Sequence, residues 1–320
     1  MMKFVIPLGR RAAPSRRALL TLCSFLIPIL IWCLFSYVPF IWHPKVMVSD
    51  PGGVDYFNPG TLVDKDEFED QAGQMKAQGL AVPRGHPANP VYLPAPHVVA
   101  KAFVVAFSTA PQTRDGVWLH ESLWHSIQII FWGFVLSSLV GVPLGVLTGT
   151  YVTLARLSEP FIEFFRYLPA PAFGALAVAV LGIYDGPKIA IIVIGTFFQQ
   201  VLVVANTTRK LDPTIVEAAR TLGTRGRLIT KVVVPAILPD LYRDQRILLG
   251  WAWTYLIVAE LIGTSSGITW YITQQARYQH FENVYAAIII IGMIGFGSDL
   301  GFERLGRKLF PWHVAQGDKR

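Results

Sequence analysis

The sequence predicts an all-α integral membrane protein with six transmembrane helices. Hydrophobic residues make up 52% of the 320 positions and charged residues only 15%, and the mean hydropathy is +0.44. This composition is too apolar for an ordinary soluble domain. The apolar residues also come in blocks of about 20, the length that crosses a bilayer as a helix. The predicted spans are residues 19–42, 124–150, 167–184, 189–208, 247–263 and 284–302.

The Lys and Arg residues predict the orientation of these spans. Most of the 28 basic residues fall before residue 19, within 209–246, or after residue 303. Because basic residues concentrate in cytoplasmic segments, we expect the protein in a bacterial inner membrane with both termini on its cytoplasmic side. This topology accounts for most of the net charge of +7. Since the basic residues form no stripe with aromatic residues, we expect no nucleic-acid partner.

The first span, 19–42, follows a short cytoplasmic tail, 1–18, and is predicted to remain as a membrane anchor. Its apolar run is longer than that of a signal peptide, and no small-residue cleavage site follows it. Its two cysteines, Cys23 and Cys33, lie within the span, so they cannot cross-link the external segment that comes next.

Residues 43–118 form that external segment, which we predict to be a loose periplasmic extension. The segment is rich in proline and carries an acidic run from Asp64 to Asp70. We expect one short helix near 65–78 and a second from 97 to 107, without a hydrophobic core of their own.

The remaining residues are predicted to form one membrane domain, 119–312, followed by a tail, 313–320. Small residues recur along two of its spans and predict close packing against other membrane helices. These residues are Gly141, Gly145 and Gly149 in the second span and Gly292, Gly295 and Gly297 in the last.

A short helix is predicted between the fourth and fifth spans, in the cytoplasmic loop 209–246. Asp212 is a good N-cap, Pro213 suits the first helical position, and Gly223 suits the residue just past the end. The helix should therefore run from 213 to 222. At helical spacing, its apolar face carries Ile215, Ala218, Ala219 and Leu222. A helix in this place is positioned to contact a soluble partner.

The same helix carries a recognisable pattern, Glu217-Ala218-Ala219 followed by Gly223, Pro235 and Pro239. This pattern resembles the EAA loop of binding-protein-dependent ABC importer permeases, the six-helix type I subunits. Further parts of the family pattern occur in order along the chain. They are Leu93-Pro94-Ala95-Pro96, Gly141 to Gly145, Phe165 to Pro171, Val258 to Leu261 and Phe310-Pro311-Trp312. The resemblance covers about 90–312 and is closest to the nitrate, sulfonate, taurine and bicarbonate branch.

The chain departs from that pattern in two places. The extension from about 45 to 90 is not part of it. The interval from Gly223 to Pro235 is one residue shorter, and one residue turns a helix by about 100°. We expect the turn Thr224 to Gly226 to absorb this difference, which bears on the geometry of the helix that follows.

The resemblance implies a permease subunit for a small anion: nitrate, a sulfonate, taurine, bicarbonate or a small organic acid. It implies a homodimer in membrane lipid, with two cytoplasmic ATPase subunits and a periplasmic solute-binding protein that delivers the anion. In the family the helix of the EAA loop, here predicted at 213–222, lies in a groove of the ATPase and couples it to the membrane helices. The residues that would couple it are Glu217, Ala218, Ala219, Leu222 and Gly223.

The chain itself is expected to be no enzyme and to hold no cofactor. It contains no Gly-x-x-x-x-Gly-Lys-Ser/Thr sequence, so ATP and Mg²⁺ are expected on a separate ATPase subunit. A membrane scaffold or sensor that keeps this fold without coupled transport is the alternative. A secondary transporter ranks third, because six spans without an inverted repeat would be unusual.

Polar and aromatic residues inside the fourth and fifth spans are the candidate pathway or gate residues, because polar groups are costly in a membrane. The candidates are Thr196, Gln199, Gln200, Trp251, Trp253 and Glu260. All of these except Glu260 could either line an uncharged, hydrogen-bonding pathway or pack between helices, and the sequence leaves both roles open. A buried carboxylate is a poor ligand for an anion, so we expect Glu260 to brace a gate or a neighbouring loop.

Three residues near the start of the second span, His120, Glu121 and His125, do not match a metal site. The five-residue spacing places the two histidines about 140° apart around a helix, unlike the pair of zinc proteases. No metal site is predicted, and these residues are expected at the outer mouth.

Overall fold

The computed structural model describes residues 14–38, 42–109, 118–224, 227–262 and 266–312. The chain forms two compact units, one made of residues up to 108 with 275–286, the other of 109–274 with the residues from 287. The helices are α1 (Pro14–Tyr37), α2 (Lys65–Ala77), α3 (Pro96–Ser108), α4 (Leu119–Thr150), α5 (Val152–Arg166), α6 (Gly174–Leu181), α7 (Asp185–Arg209), α8 (Pro213–Thr221), α9 (Val234–Ile262), α10 (Ile268–Arg277) and α11 (Phe281–Leu309). The strands are β1 (Lys45–Asp50), β2 (Leu62–Asp64) and β3 (Arg84–Ala88).

Four of the described helices are long and apolar enough to cross a membrane, namely α1, α4, α7 and α11. The pair α5 and α6 adds a fifth span if the two are counted together. α9 is as long as α11, but its first half carries Asp240, Arg243, Asp244 and Arg246, and only its second half matches the predicted span 247–263. The helical membrane class is confirmed, and the count of six spans stays a prediction.

The third span is not the continuous helix predicted at 167–184. α5 ends at Arg166, and the chain passes through a 3₁₀ turn, Ala170–Phe173, into α6. The two helices are bent by 88° at this break. Pro169 and Pro171 explain it, because proline lacks the N–H of the helical ladder and disfavours helix in the residue before it.

The extension within the first unit is folded, contrary to the prediction of a loose segment. β1 pairs antiparallel with β2 on one side and with β3 on the other, and α2 packs on the sheet. Val48, Val54 and Phe57 are buried in a small core, so the prediction that the extension lacks one was wrong. The two helices predicted there are confirmed as α2 and α3.

α1 is attached to the segment that leads into α3, also within the first unit. The indole N–H of Trp32 donates to the Pro94 carbonyl at 3.1 Å. The Tyr37 hydroxyl and His97 Nδ1 share a hydrogen bond of 2.6 Å, and their rings stack at 5.6 Å. A long apolar helix is thus fixed near its C-terminal end by two polar contacts.

α7 is the central helix of the second unit and packs against α4, α5, α6 and α9. The predicted glycine stripe of α4 permits the closest of these contacts. A Cβ at Gly145 would lie 2.6 Å from Cβ of Val204, and one at Gly149 would lie 2.5 Å from Cβ of Thr208. Real side chains do not approach so closely, so glycine is required for this packing, and the prediction is confirmed.

The glycines of α11 behave differently from those of α4. Nothing among the described residues lies within 4 Å of a Cβ built at Gly292, Gly295 or Gly297. The prediction that they serve close packing is wrong for the contacts within this chain, since a helical stripe of small residues does not itself specify which neighbour faces it.

Candidate functional site

The predicted surface helix is present as α8 and is capped as the sequence indicates. The Asp212 carboxylate accepts a hydrogen bond from the Thr214 backbone N–H at 2.9 Å. Hydrogen bonds from the Thr214 side chain and backbone lower the pKa of the Asp212 carboxyl, which keeps the cap ionised at neutral pH. At the other end Leu222 is the C-cap and Gly223 follows at φ +81°, so the helix is one residue shorter than predicted.

The two sides of α8 are chemically similar but differ in burial. Ala219 is buried and packs, with Val216, into a hydrophobic cluster. Ile215 and Leu222 remain 45% and 84% exposed, and Ala218 is exposed beside them. The single apolar face predicted from the sequence is therefore divided, with Ala219 on the side that contacts the protein.

The hydrophobic cluster joins α8 to the membrane helices. Its other buried members come from α4, α7, the chain before α9, and α9 itself, and they are Val146, Val204, Leu228, Val233, Ile237 and Leu241. A displacement of α8 would therefore be felt at the ends of three long helices, because closely packed interiors transmit strain.

The chain between α8 and α9 contains an irregular turn. Residues 225–226, within the turn predicted to absorb the short interval before Pro235, lie outside the described residues. After them, Ile229–Val233 forms a π-helical turn, which leads directly into α9. A π-helical turn shifts the register of the helix that follows, so this segment determines which side chains of α9 face α7.

A cavity of about 110 Å³ lies between α5, α7 and α9, beside the break that follows α5. Its wall consists of Phe165, Arg166, Leu168, Ile194, Gly195, Thr196, Phe198, Gln199, Leu248, Trp251 and Tyr255. Gly195 is about 15 Å along α7, a helix of about 37 Å. The cavity is therefore near the middle of a membrane-spanning helix, at the depth where transport proteins commonly bind their substrates.

Three of the six candidate pathway residues line this cavity: Thr196, Gln199 and Trp251. Gln199 is half-buried, and its amide makes no hydrogen bond to the described residues. The Thr196 hydroxyl donates to the Ile192 carbonyl of its own helix at 2.7 Å, so its donor is already engaged. Trp253 is not part of the cavity wall.

Gln200 faces the other way and is completely buried. Its Oε1 accepts a hydrogen bond from Ser137 at 2.7 Å, and its amide nitrogen donates to Ser138 at 2.7 Å and to Gln245 Oε1. Gly141 on α4 leaves room for it, since a Cβ there would lie 3.1 Å from Gln200 Oε1. This geometry favours packing between α4, α7 and α9 over pathway lining.

Glu260 is also buried and contacts Gly267 and the start of α10. Its carboxylate accepts hydrogen bonds from the Ser126 hydroxyl and, at 2.8 Å, from the Thr269 backbone N–H. The Ser126 hydroxyl in turn accepts from the Ile268 N–H at 2.9 Å. Gly267, at φ +101°, lies against the carboxylate, where a Cβ would overlap it. Glu260 therefore fastens the start of α10 to α4, a geometry that fits a brace.

A polar cluster that the sequence analysis missed lies at the start of α7. Lys188 is completely buried, with Nζ 3.1 Å from Asp185 Oδ1 and 2.7 Å from the Ser266 hydroxyl. His125 Nε2 lies 2.9 Å from Asp185 Oδ2. A lysine inside an apolar run, three residues after an aspartate, was the signal in the sequence. Among the described residues no group of three or more His, Cys, Asp or Glu could hold a metal ion.

The sequence analysis also did not single out Arg166, although it lies in the segment Phe165 to Pro171 that resembles the family pattern. It is the last residue of α5 and contributes to the cavity wall. An arginine at the edge of a predicted span, three residues before Pro169, is the signal that could have found it, because charges in membrane segments are rare and often functional.

Known proteins resemble the part of the chain that contains α8 and the cavity wall. The family described as the binding-protein-dependent transport system inner membrane component matches residues 141–311, which include α8 and the cavity wall. The chain belongs to this family. The permease thus has the fold and the general role that the EAA-like pattern implied, and its extension and α1 lie outside the matched region.

Individual relatives place the permease in a branch of that family. It is 30% identical to the taurine transport system permease protein TauC of Escherichia coli over 227 residues, 70% of this chain and 82% of TauC. It is 33% identical to the putative aliphatic sulfonates transport permease protein SsuC of Bacillus subtilis over 181 residues, 56% of this chain and 66% of SsuC. A chain of the inward-facing MetNI methionine ABC transporter shares the fold, with a TM-score of 0.55 at 19% identity, over 62% of the permease and 99% of that chain.

Proposed function

We propose that the permease is the membrane-spanning subunit of an ATP-driven importer for a small anion. The candidate anions are a sulfonate, taurine, bicarbonate, nitrate or a small organic acid, and the relatives named for taurine and aliphatic sulfonates support this range. The partners are cytoplasmic ATPase subunits, an external solute-binding protein and a second copy of the chain. ATP and Mg²⁺ bind the ATPase subunits, and both termini of the permease are cytoplasmic.

The division of α8 into a packed side and an exposed side is the observation that carries this proposal. An exposed apolar stripe of Ile215, Ala218 and Leu222 fits the groove of a partner protein, where burying it would be favourable. Glu217 is exposed and available to a basic or N–H donor on that partner. Gly223 allows the sharp exit of the chain behind the helix.

The packed side of α8 supplies the connection to the membrane. Movement of the ATPase subunits displaces α8, and the contacts of Val216 and Ala219 pass this displacement to α4, α7 and α9. The cavity lies between two of these helices, so a change in their spacing alters its access. The start of α10 is the corresponding candidate for a gate, because Ser126 of α4 and Glu260 of α9 both hold it.

The proposal is tested by reconstitution in liposomes with the cognate ATPase and solute-binding proteins. We expect the isolated permease to hydrolyse no ATP. The complete complex should take up one of the candidate anions when ATP and the ATPase subunits are inside the vesicle and the solute-binding protein is outside. Glu217→Lys and Gly223→Leu should each lower uptake about tenfold or more. Thermal unfolding should be unchanged for Glu217→Lys, whereas Gly223→Leu should cost about 1 kcal/mol because the residue lies at φ +81°. Glu121→Lys, an equal charge reversal in the first turn of α4, is the matched control.

Three outcomes would count against this function. Hydrolysis by the isolated permease would contradict the separate ATPase. Normal uptake by both α8 variants would contradict the docking role. A correctly assembled complex that hydrolyses ATP without moving any candidate anion would favour the scaffold or sensor instead.

A further inference from the structure

Arg166 is the only charged residue in the wall of the 110 Å³ cavity, among the residues that the structure describes. The rest of the wall is apolar, aromatic or uncharged polar, and it contains no carboxylate. A single guanidinium in such a wall gives the cavity a net positive charge, because arginine stays protonated at all physiological pH values.

The guanidinium is not neutralised by a described part of the chain. No carboxylate oxygen of the described residues lies within ion-pair distance of it: Glu163, three residues earlier on α5, forms no ion pair with it, and Glu159 pairs with Arg209. Its contacts are to Tyr167, whose hydroxyl accepts a hydrogen bond from Nη2 at 2.8 Å and whose ring centroid lies 4.7 Å from Cζ. One of five N–H groups is thus engaged there, and the others remain available to a ligand.

The position of Arg166 makes this lack of a counter-charge informative. It ends α5 at the break of a bent span and shares the cavity wall with residues from the middle of α7 and of α9. A charge at that depth is costly in a membrane protein unless a paired group, a ligand or a water-filled cavity compensates it. The Arg166 side chain is exposed in the single chain, so an incoming ligand can reach its guanidinium.

Uncharged hydrogen-bonding groups accompany Arg166 in the cavity. The Gln199 amide has no partner among the described residues, and the Tyr255 side chain forms part of the same wall. Gly195 admits the Tyr255 ring to this position, since a Cβ there would lie 2.9 Å from three ring atoms. A glycine in the middle of α7 therefore serves the shape of the cavity.

We propose that Arg166 is the anion-binding residue of the translocation pathway, with Gln199 as a second, uncharged ligand, an assignment that rests on the proposed transport function. The planar guanidinium matches two oxygens of a carboxylate, sulfonate or similar oxyanion, which a lysine would not do as well. The cavity is far below the roughly 300–1,000 Å³ of sites for drug-sized ligands, so its size fits a small anion.

The test compares variants of the complete reconstituted complex, using radiolabelled taurine, ethanesulfonate, bicarbonate and nitrate as probes. Arg166→Gln should reduce uptake of the transported anion about tenfold or more, and Arg166→Lys should retain an intermediate rate. The matched control is Arg156→Gln, which removes an exposed arginine of the same helix outside the cavity wall and should leave uptake unchanged. Folding is checked by co-elution of each variant with the ATPase subunit.

A charge-rescue experiment separates anion binding from a structural role. Arg166→Cys is prepared in a background where Cys23 and Cys33 are serine, so that one thiol reacts. Aminoethyl methanethiosulfonate, which restores a positive charge, should raise uptake severalfold over the unmodified variant. Methyl methanethiosulfonate, which adds an uncharged group, should not. A structural role would not depend on the sign of the added charge.

The outcomes distinguish the two proposals. If the unaltered complex takes up none of the four probes and no small organic acid such as acetate, the proposed function fails and this inference fails with it. If the unaltered complex transports a probe but Arg166→Gln does so at the same rate, only the assignment of Arg166 is overturned. Equal rescue by the charged and the uncharged reagent would likewise overturn it.

Discussion

Gln199 and Gln200 are neighbours in the chain, yet they belong to two different regions of the second unit. Gln200 is completely buried between α4, α7 and α9, and its amide is engaged by three side chains. Gln199 lines the cavity and has no hydrogen-bond partner among the described residues. One residue turns a helix by about 100°, which is enough to move a side chain from one region to the other.

This difference distinguishes polar groups that stabilise the packing of the protein from polar groups that remain available to bind a ligand. Burying a polar group without a partner is costly, so a fully partnered group is evidence for packing. An unpartnered one beside a cavity is evidence for a ligand. The same distinction applies to α8, where Val216 and Ala219 are packed while Ile215 and Leu222 await a partner. It also applies to the glycines of α4 and α11.

The largest expected effect concerns those glycines. Gly145→Val should destabilise the permease by about 1–3 kcal/mol or prevent its folding, because its Cβ would lie 2.6 Å from Val204 Cβ and 2.8 Å from the Val201 carbonyl oxygen. Gly292→Val, with no described atom near its Cβ, should change stability by about 0.5 kcal/mol or less. Thermal unfolding of both variants in detergent measures the difference. Similar losses of stability in the two variants would contradict the distinction between the glycines of α4 and those of α11.

Local signals in the sequence sufficed for α8 and for the glycine stripe of α4. The helix bounds follow from Asp212, Pro213 and Gly223, which act on their own neighbours in the chain. The stripe follows from a four-residue repeat, and it names the face of α4 that packs. The sequence could not name the partner helix or its rotation, since these depend on residues far away. That is why Gln199 and Gln200 were predicted alike.

The extension shows the same limit in another form. β1 pairs with β3, about 40 residues later, so no local pattern reveals the sheet. β3 contains Pro87 and reads as a loop, and proline is tolerated there because β3 is an edge strand. The prolines between 167 and 171 were likewise present in the sequence, but they were interpreted as part of a continuous span.

The second prediction tests the two glutamines directly. Gln200→Ala should destabilise the permease by about 1–3 kcal/mol, because it leaves polar groups of Ser137, Ser138 and Gln245 buried without their partner. Gln199→Ala should cost about 0.5 kcal/mol or less, since it breaks no described hydrogen bond. Uptake by the assembled complex should show the reverse order, with the Gln199 variant transporting more slowly per folded complex. An equal stability loss in both variants would contradict the division into two regions.

The smallest expected effect lies in the extension, whose acidic run also contains partnered and unpartnered groups. Asp64 pairs with Lys45 at 2.7 Å, and Glu69 lies 3.8 Å from Lys65, whereas the structure records no ion pair for Asp66, Glu67 or Asp70 among the described residues. Exposed charges of this kind steer the encounter with a partner more than they determine final affinity. We therefore expect these three carboxylates to act on the solute-binding protein, if the extension faces it as the predicted topology requires.

The measurement is the association rate of the solute-binding protein with the reconstituted complex, followed at low and at high salt. The triple variant Asp66→Asn, Glu67→Gln, Asp70→Asn should change the association rate a few-fold at low salt and associate like the unaltered protein near 1 M salt, where the screening length is about 3 Å. Asp66→Glu, Glu67→Asp, Asp70→Glu keeps the charges and should leave the rate unchanged. Neutralisation is a cleaner test than deletion of 60–80, because that deletion removes β2 and the Phe68 and Met75 contacts of the small core. An association rate that does not respond to neutralisation at any salt concentration would assign the extension the role of a solvated cover.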